Sequence, residues 1–449
     1  MNFEITQDFV DKLEDCIQQQ ENDQIRLMLE ELHYGDVAAI LYETDIYQAK
    51  YVLEVLDKDT SAEILSDFEE DFRKEVADLF PSDQLAPYVD LMESDDAVDL
   101  LKELSIKKRE EVIALMTDRQ KARHIIHLLP YDEGTAGGLM AKEFIKANLN
   151  WTITQCIEEI RRQAEQVDKI YSIYVVDDQG ILLGRVSLKR IILSPDNAKI
   201  ADIYDDEVVA VETYMSQKEV AEVMQRYDLE AIPVVNVRNK LLGRITIDDI
   251  VDVITEEAEY ERQLMSGISN DVEEDDDLVT SVRARLPWLI IGMAGGLVAA
   301  QFMGLFEASI AAIPAMAFFT PLIAGTGGNV GIQSSAIILQ SLATKAGLEI
   351  NMWVRLLKVF LIALANGLIL SGLVFAFNLV FGIELHLAIV VSIALMSVVL
   401  VASFTGTITP LILNRFGINP AVSSGPFITT ANDILGIIVY FTAAKLLLL

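Results

Sequence analysis

The feature that most constrains the fold is the uneven distribution of charge along the chain. The first 281 residues hold 28 basic and 64 acidic side chains, a formal net charge of −36, whereas only four carboxylates follow Ser281. In this second part, five segments reach the ~20 apolar residues that cross a bilayer as a helix. They are approximately Leu286–Phe306, Ala312–Leu342, Trp353–Phe381, Leu387–Leu413 and Pro420–Leu448. The sequence predicts an acidic soluble part and an all-α, five-helix transmembrane domain (282–449).

The basic residues around these spans predict the orientation of the chain in the membrane. Six of them fall on one side, namely Arg283, Arg285, Lys345, Arg355, Lys358 and Arg415. The other side has Glu307, Glu384 and His386, with Lys445 near the C-terminus. The positive-inside rule then predicts a cytoplasmic N-terminus and an outside C-terminus. The acidic first thirty residues lack the apolar core of a secretory signal, so the acidic part is expected in the cytoplasm of a multi-pass cell-membrane protein.

The second span contains an unusual polar and glycine-rich segment, PLIAGTGGNVGIQ. Gly325–Asn329 holds poor helix formers and predicts a break in the helix, which a membrane tolerates only inside protein or along a water-filled cavity. This favours an ion pathway, with close packing of helices through small residues as the alternative. No Lys follows the glycines, which excludes a phosphate loop. The candidate pore-lining residues here are Pro321, Gly325, Thr326, Gly327, Gly328, Asn329, Gly331 and Gln333.

The fifth span contains the only central carboxylate, Asp433. A charged Asp at mid-bilayer costs roughly 2.5–3.5 kcal/mol even on insertion scales, which favours a bound ligand over a protonated or hydrogen-bonded structural role. Neighbouring residues that loosen this span or add oxygen ligands are Pro420, Pro426, Thr429, Thr430 and Asn432. Such an all-oxygen site favours a hard divalent cation. Magnesium, usually held through its waters by one or two carboxylates, fits one Asp per chain duplicated across a twofold axis.

Residues 1–135 are predicted to form a superhelical, all-α domain. Apolar positions at Ile40, Leu41 and Val52 recur 24 residues later at Ile64, Leu65 and Val76, and again 36 residues further on. Repeats that bury their faces on neighbours form solenoids. Unrelated amphipathic helices of similar length are the alternative.

A second repeat, with a period of 59 residues, is sharper. Tyr174–Asp177 and Leu183–Arg185 recur as Pro233–Asn236 and Leu242–Arg244, each a β-hairpin preceded by a helix. This resembles a tandem pair of α/β CBS domains, at 141–200 and 201–256. Thr246 and Asp249 match the Thr-x-x-Asp pattern with which such domains often bind a ribose. The first copy lacks this Asp, so ATP binding is predicted only weakly.

The segment that follows the second repeat is acidic at helical spacing. Four carboxylates share one face and two lie beside it, in the order Asp249, Asp252, Glu256, Glu259, then Glu257 and Glu261. A solvated acidic face would explain them. Alternatively, divalent cations bridge them to another acidic surface, for which Asp95, Asp96 and Asp99 are the obvious partners.

Together these motifs resemble the MgtE family of magnesium channels over essentially the whole chain. The matching segments are Glu93–Leu101, Tyr131–Met140, Pro321–Gln333 and Asn419–Gly436, besides the CBS pair and the acidic helix. The resemblance implies a homodimer whose pore is lined by the second and fifth spans, with Asp433 of both chains holding a hydrated Mg²⁺. It also implies a connecting (plug) helix at 257–281 and a role in magnesium homeostasis. High cytoplasmic Mg²⁺ would then close the pore.

The resemblance also implies regulatory Mg²⁺ ligands. Carried over by position, they are Asp95 or Asp96, Asp99, Asp228, Asp249, Asp252, Glu257 and Glu261. Ser216 and Lys218 stand where acids are expected, and Asn419 replaces an expected Asp. These departures predict weakened sites in the second CBS domain and at the cytoplasmic mouth.

The leading prediction is therefore a Mg²⁺-selective channel for uptake across the cytoplasmic membrane. A coupled divalent-cation (Mg/Co) transporter and a non-conducting, membrane-anchored sensor of Mg²⁺ or nucleotide are the alternatives. An enzyme is not expected, since no nucleophile–base set is visible. A nucleic-acid partner is not expected either, because a basic footprint is lacking.

Overall fold

The computed structural model describes residues 5–164, 167, 169–269, 272, 278–343, 352–423 and 425–448. The chain divides into a first unit, Met1–Ile254, and a second unit, Thr255–Leu449. The predicted acidic run Asp271–Asp277, except Val272, and the predicted inward-facing Lys345 lie outside the described residues.

The first unit begins with a series of short helices. They are α1 Gln7–Gln18, α2 Asn22–Leu29, α3 Tyr34–Tyr42, α4 Ile46–Val55, α5 Lys58–Asp67, α6 Glu70–Asp78, α7 Ser82–Val89, α8 Ser94–Glu103, α9 Ile106–Leu115 and α10 Arg119–Leu128. From α3 onward each helix packs against the next but one, as α3 on α5 and α8 on α10. Each repeat thus buries its apolar face on its neighbour, which is the packing of a solenoid.

The repeated apolar positions form the continuous core of these helices. Ile40, Leu41 and Val52 are fully buried, as are Ile64 and Leu65 one repeat later. The repeat also pairs Leu56 with Phe80 and Val55 with Leu79, and in each pair one residue is less buried. Leu56 and Leu79 are only half-buried. Leu115 is 49% exposed at the end of α9.

Two three-stranded sheets follow. The first consists of β1 Ile145–Asn148, β2 Ile173–Val176 and β3 Leu182–Val186, with α11 Ile153–Gln163 and α12 Leu188–Ile192. The second consists of β4 Val211–Glu212, β5 Ala231–Val235 and β6 Leu241–Thr246, with α13 Gln217–Tyr227 and α14 Ile247–Ser266. In each sheet the first two strands are parallel and the last two antiparallel.

The antiparallel strand pairs of the two sheets repeat each other with the 59-residue period. The antiparallel register shifts between Val175 and Val176 in the first sheet and between Val234 and Val235 in the second, 59 positions later. Gly184 and Gly243 lie opposite these shifts. A β-carbon at Gly184 would lie 2.1 Å from the carbonyl oxygen of Asp205, so this glycine lets a second segment cross the strand.

The second unit is helical throughout its described residues. Its main helices are α15 Leu278–Gly304, α16 Glu307–Ala312, α17 Thr320–Ala343, α18 Met352–Val380, α19 Leu385–Arg415 and α20 Gly425–Leu448. Five helical segments are long and apolar enough to span a membrane, at Leu278–Gly304, Pro314–Leu342, Met352–Val380, Leu385–Arg415 and Pro420–Leu447. These agree with the five predicted spans to within a few residues, apart from an earlier start of the first.

The core of the second unit surrounds α19. This helix packs against α17, α18 and α20, while α15 packs on α20. Val391, Ala394 and Val398 of α19 are buried against Tyr440 and Phe441 of α20. The Tyr440 hydroxyl donates a hydrogen bond to the carbonyl oxygen of Met316 at 2.9 Å, which satisfies a polar group that hydrocarbon would leave unpaired.

The predicted break in the second span is wrong. α17 runs without interruption from Thr320 to Ala343 and includes the whole Gly325–Asn329 segment. Helix propensity is a weak effect that tertiary contacts override, and in hydrocarbon an unbroken helix satisfies its own backbone groups. Gly327 and Gly328 of this segment instead lie at contacts with the neighbouring helices.

The predicted connecting helix also has different bounds. α14 starts at Ile247, directly after β6, and not at Glu257, and it ends at Ser266 well before Leu278. Gly267 stops it in the left-handed region with φ of +80°, and the Ile268 N–H donates to the Gln263 carbonyl at 3.0 Å. This is the hydrogen-bond pattern of a Schellman C-cap, in which glycine is preferred.

The crossing at Gly184 gives a first prediction. Gly184→Ala should destabilise the first sheet by about 1–3 kcal/mol, because the added methyl group meets backbone that cannot move freely. The measurement is the rate at which the thiol of buried Cys156 is labelled in urea, in a Cys16→Ser background. Gly134→Ala is the matched control, since a β-carbon there has no atom within 4 Å. Equal labelling rates in both variants would contradict the crossing argument.

Candidate ion pathway and acidic cluster

The glycines of α17 let two other helices approach it closely. A β-carbon at Gly327 would lie 3.0 Å from Cγ1 of Val398 in α19, and one at Gly328 would lie 3.2 Å from Cγ2 of Thr429 in α20. At Gly331 the clash would be severe, 1.8 Å from Nδ2 of Asn432. Small residues at such contacts are how membrane helices pack tightly. These contacts agree with the alternative interpretation of the glycine motif, in which small residues allow close packing of helices.

Asp433 lies at this contact. A β-carbon at Gly328 would be 3.4 Å from Oδ1 of Asp433, so the carboxylate lies beside the bare backbone of α17. The residue is half-buried, and within the described residues its carboxylate has no hydrogen-bond partner. Thr429, one turn earlier on α20, faces the same glycine and donates its hydroxyl to the Gly425 carbonyl at 2.9 Å. Asp433 and Thr429 therefore lie beside the same glycine, and their role as ligands of an ion stays a prediction.

The other two predicted oxygen ligands of α20 point elsewhere. Oδ1 of Asn432 accepts a hydrogen bond from the Thr405 hydroxyl of α19 at 2.5 Å, and the residue is 1% exposed. The methyl group of Thr430 packs on Gly295 of α15, where a β-carbon would lie 1.7 Å away. In these positions both residues hold helices together. The structure does not place them beside the Asp433 carboxylate as ligands.

One face of α17 remains exposed although it lies at membrane depth. Pro321, Gly325, Asn329 and Gln333 recur every four residues along this face, and all four are exposed. We call this set the polar stripe. Thr326 is half-buried, while Gly327, Gly328 and Gly331 are buried. Gly328, which Asp433 lies against, flanks the stripe, because it directly precedes Asn329 and follows Gly325 by three residues. Two of the four, Asn329 and Gln333, carry amide side chains, and polar side chains on a lipid-facing surface are costly.

The prolines predicted near the pore lie before and at the start of α20. Pro420 begins a short 3₁₀ turn, Pro420–Ser423, and Pro426 is half-buried in the first turn of α20. A β-carbon at Gly267 would lie 2.6 Å from Cγ of Pro426, so the end of α14 packs on the start of α20. Asn419 accepts the Ala421 N–H through its side-chain oxygen at 2.9 Å. This turn-capping role needs only an oxygen, so asparagine serves where an aspartate was expected.

In the first unit, several carboxylates lie close together and buried. Asp95 is 7% exposed in the first turn of α8, and burial, with the charges of Asp96 and Asp249, raises its pKa well above the usual value. Burial and the charges of Asp249, Glu93 and Asp99 raise the pKa of Asp96 to about 8. Burial likewise raises the pKa of Asp249 to about 6, against hydrogen bonds from the Thr246 N–H and hydroxyl. We call Asp95, Asp96, Asp99 and Asp249 the acidic cluster.

Arginines of the protein partly compensate the charge of the cluster, and the sequence analysis did not predict them. Arg244, 4% exposed, donates from Nη2 to both carboxylate oxygens of Glu93 at 2.8 and 3.0 Å. Nε of Arg73 donates to Glu103 at 2.9 Å, and the Arg73 charge lowers the pKa of Asp99, which burial raises to about 6. Ser94 adds a hydrogen bond to Glu143 at 2.6 Å. Contacts of this kind depend on the tertiary fold and carry no local sequence pattern.

The remaining predicted regulatory residues are more scattered. Asp228 is exposed and forms the left-handed C-cap of α13 with φ of +49°. Asp252, Glu256 and Glu259 are exposed on α14, with Glu257 and Glu261 half-buried. Within the described ranges, no three acidic, His or Cys side chains are already arranged as ligands of one ion.

The departure at Ser216 has a structural explanation. Its hydroxyl caps α13 by accepting the Glu219 N–H at 3.3 Å and donating to the Glu219 carboxylate at 2.9 Å. This is a capping box, a common helix start. Lys218 follows in the first turn and is exposed.

Comparisons with known proteins agree with this architecture. The family described as MgtE intracellular N domain matches residues 32–134, CBS domains match 136–195 and 200–256, and the family MgtE, described as Divalent cation transporter, matches 320–443. The magnesium transporter MgtE of Thermus thermophilus is 32% identical over 97% of this chain and 98% of its own. That of Enterococcus faecalis is 34% identical over 73% and 72%.

The chain belongs to the MgtE family of magnesium transporters. A solved structure, described as the cytosolic domain of the Mg²⁺ channel MgtE in complex with ATP, is 31% identical, with a TM-score of 0.51. It matches 54% of this chain and 99% of its own. The predicted fold class, a helical N domain and CBS pair followed by transmembrane helices, is thereby confirmed for this MgtE protein.

The acidic cluster generates a prediction about pH. The groups that face Asp96 are Glu93, Asp95 and Asp99 around α8, Asp249 of α14 and Arg73 of α6. The pKa of Asp96 is about 8 in the folded unit and near 4 in an unfolded chain. The folded state thus binds the proton more tightly, and this stabilisation is complete below about pH 4 and lost as the pH rises towards 8.

Without divalent cations, the free energy of unfolding of the first unit should therefore fall between pH 5 and pH 8. Pulse proteolysis in urea, with EDTA, measures it. Asp96→Asn should flatten this pH dependence, because it removes the titrating group. Asp23→Asn, at an exposed position of α2, is the matched control. If Asp96→Asn has the same slope as the control, the cluster does not carry the pH dependence.

Proposed function

We propose that this protein is a Mg²⁺-selective channel that works as a homodimer, with a pore lined by α17 and α20 of both copies. Cytoplasmic Mg²⁺ closes it by binding at the acidic cluster and along α14. The observation that carries this proposal is the polar stripe of α17, exposed beside the half-buried Asp433.

The stripe supports a second copy because lipid cannot solvate it. Asn329 and Gln333 each present an amide that would lose its hydrogen bonds in hydrocarbon, at several kcal/mol per unsatisfied group. A twofold arrangement that places the two stripes opposite each other would remove them from lipid and line a path with polar atoms. Closed dimers with such self-complementary surfaces are the commonest oligomers.

The chemistry at Asp433 supports a hydrated divalent ion as the cargo. Asp433 is half-buried and Thr429 is its neighbour on the same face, so the site offers oxygen atoms only. Two carboxylates, one from each copy, suit Mg²⁺, which keeps several of its waters and needs few protein ligands. Carboxylate and hydroxyl oxygens disfavour softer metals.

The acidic cluster supports regulation by the transported ion. Its carboxylates lie close together, and the raised pKa values of Asp95 and Asp96 reflect the cost of ionising them in this arrangement. A cation that binds only when the acidic surfaces are close stabilises that compact state and shifts the population towards it. Falling Mg²⁺ would release the surfaces and open the pore.

The orientation and the nucleotide site belong to this proposal as well. The distribution of basic residues near the spans supports N-terminal domains in the cytoplasm and a C-terminus outside, by the positive-inside rule. For ATP, Asp249 already accepts hydrogen bonds from Thr246, and the first copy has Arg190 at the corresponding position. Nucleotide binding at Thr246 and Asp249 therefore stays a prediction of lower weight than Mg²⁺ binding.

The pore assignment predicts that Asp433→Asn abolishes Mg²⁺ flux into liposomes while the dimer stays folded. The change keeps the size of the side chain and removes the charge that holds the ion. Asn378→Asp, on α18, offers a comparison in which a carboxylate is added away from the pore. Wild-type flux through Asp433→Asn would refute the assignment.

The same assay separates a channel from a coupled carrier. A channel needs only the Mg²⁺ gradient and the membrane potential. Flux should therefore continue when proton and sodium gradients are removed. Loss of flux on removal of either gradient would favour the coupled transporter, and absence of flux under all conditions would favour a sensor.

The regulatory proposal predicts that neutralising Asp249, Asp252 and Glu257 together weakens the effect of Mg²⁺ on protease cleavage after α14. The three changes remove charges that Mg²⁺ would bridge. The measurement is a Mg²⁺ titration of protection against limited proteolysis within residues 267–281. The matched control neutralises the exposed carboxylates Asp178, Asp206 and Glu207. An unchanged titration midpoint in the first variant would rule out these three residues as ligands.

A further inference from the structure

Three helices of the second unit meet at one polar contact beside Asp433. Asn432 of α20, 1% exposed, lies between Thr405 of α19 and Gly331 of α17. A β-carbon at Gly406 of α19 would lie 2.4 Å from the Gly331 carbonyl oxygen, so α19 and α17 also touch backbone to backbone. The amide of Asn432 therefore occupies the space that the missing side chain of Gly331 leaves open.

Burying the Asn432 amide at this contact costs free energy, which favours a role that depends on its position. The single proton of the Thr405 hydroxyl has three acceptors in reach. Oδ1 of Asn432 is the nearest at 2.5 Å, and the carbonyl oxygens of Ala402 and Val401 in its own helix lie at 3.0 and 3.1 Å. Nδ2 of Asn432 has no hydrogen-bond partner among the described residues. An unsatisfied buried amide costs about 1–3 kcal/mol, and an apolar side chain of similar size would avoid it. An apolar side chain has no preferred direction of contact. A hydrogen bond does, and it therefore favours one rotation of α20 relative to α19 among those that packing allows.

The rotation of α20 determines where Asp433 points. Successive residues of an α-helix lie 100° apart, since one turn takes 3.6 residues. With Asn432 held between α19 and α17, Asp433 and Thr429 are both directed at Gly328. A small rotation of α20 would move the carboxylate either into the α17 contact or away from it.

From this geometry we infer that Asn432 and Thr405 are positioning residues, which set the rotation of α20 and thereby the place of the Asp433 carboxylate in the ion pathway. Asn432 is then not a ligand of the ion, contrary to the prediction from sequence. The inference rests on the proposed role of Asp433. It adds that selectivity depends on a hydrogen bond outside the pathway.

The test removes one hydroxyl at a time. Thr405→Val keeps the shape of the side chain and loses the bond to Asn432, whereas Thr405→Ser keeps the hydroxyl. Thr409→Val is the matched control, because the Thr409 hydroxyl donates only to the Thr405 carbonyl of its own helix, at 2.7 Å. Fluxes of Mg²⁺ and Ca²⁺ are measured in liposomes, per folded dimer, over a range of ion concentrations.

We expect Thr405→Val to raise the half-saturating Mg²⁺ concentration roughly three- to fifteenfold, the size set by one interhelical hydrogen bond in a membrane. The ratio of Mg²⁺ to Ca²⁺ flux should fall with it, and Thr405→Ser and Thr409→Val should resemble the wild type. A purely structural role would lower the amount of folded dimer and leave both quantities unchanged. That result would overturn the inference.

Two further arms keep the test decisive. If Thr405→Val does not insert, Thr405→Ala, which adds no bulk, replaces it with the same expected shifts. Asp433→Asn is assayed alongside. If it conducts normally, the proposed pore itself fails. If it is inactive while the Thr405 variants match Thr409→Val, only the positioning role of Asn432 and Thr405 is refuted.

Discussion

The membrane unit depends on the close approach of α17 to α19 and α20, which glycines make possible. Gly328 and Gly331 bring α17 against Thr429, Asp433 and Asn432 of α20. Without this approach the carboxylate of Asp433 would face lipid or a gap. With it, the carboxylate lies against polar backbone and next to the polar stripe. Tight packing, rather than an opening in the helix, is therefore what places charge inside the membrane.

In the first unit, too, carboxylates lie close together in a poorly solvated place. Asp95 is buried and Asp96 half-buried beside Asp249, and a low-dielectric site makes their mutual repulsion strong. Arg244 and Arg73 offset part of it through Glu93 and Glu103. The compact arrangement is then held by fixed ion pairs and opposed by the remaining carboxylates. Such an arrangement is sensitive to protons and to divalent cations, because binding of either reduces the repulsion between the carboxylates.

Much of the architecture could be predicted from the sequence because its signals are local and repeated. The 59-residue period predicted paired sheets, and even the register shifts at Val175 and Val234 follow it. The five spans follow from length and hydropathy alone. The predicted break at Gly325–Asn329 is wrong because helix propensity is a weaker effect than the contacts with the neighbouring helices, which the sequence does not reveal. The directions of Thr430 and Asn432, and the cations Arg73 and Arg244, depend on contacts between distant segments, which have no signature in one sequence.

The two units differ in how their carboxylates are compensated, and this difference favours a conducting function over a sensing one. The acidic cluster has arginines within the protein, so it can exist, under strain, without any ion. Asp433 has none, because the basic residues described in the second unit lie near the ends of the spans, at positions such as Arg355 and Arg415. Its half-buried carboxyl group is therefore neutralised by a proton, or is met by water or by a cation from solution. A membrane anchor would have no use for such a residue, whereas a pathway for a hydrated cation requires it.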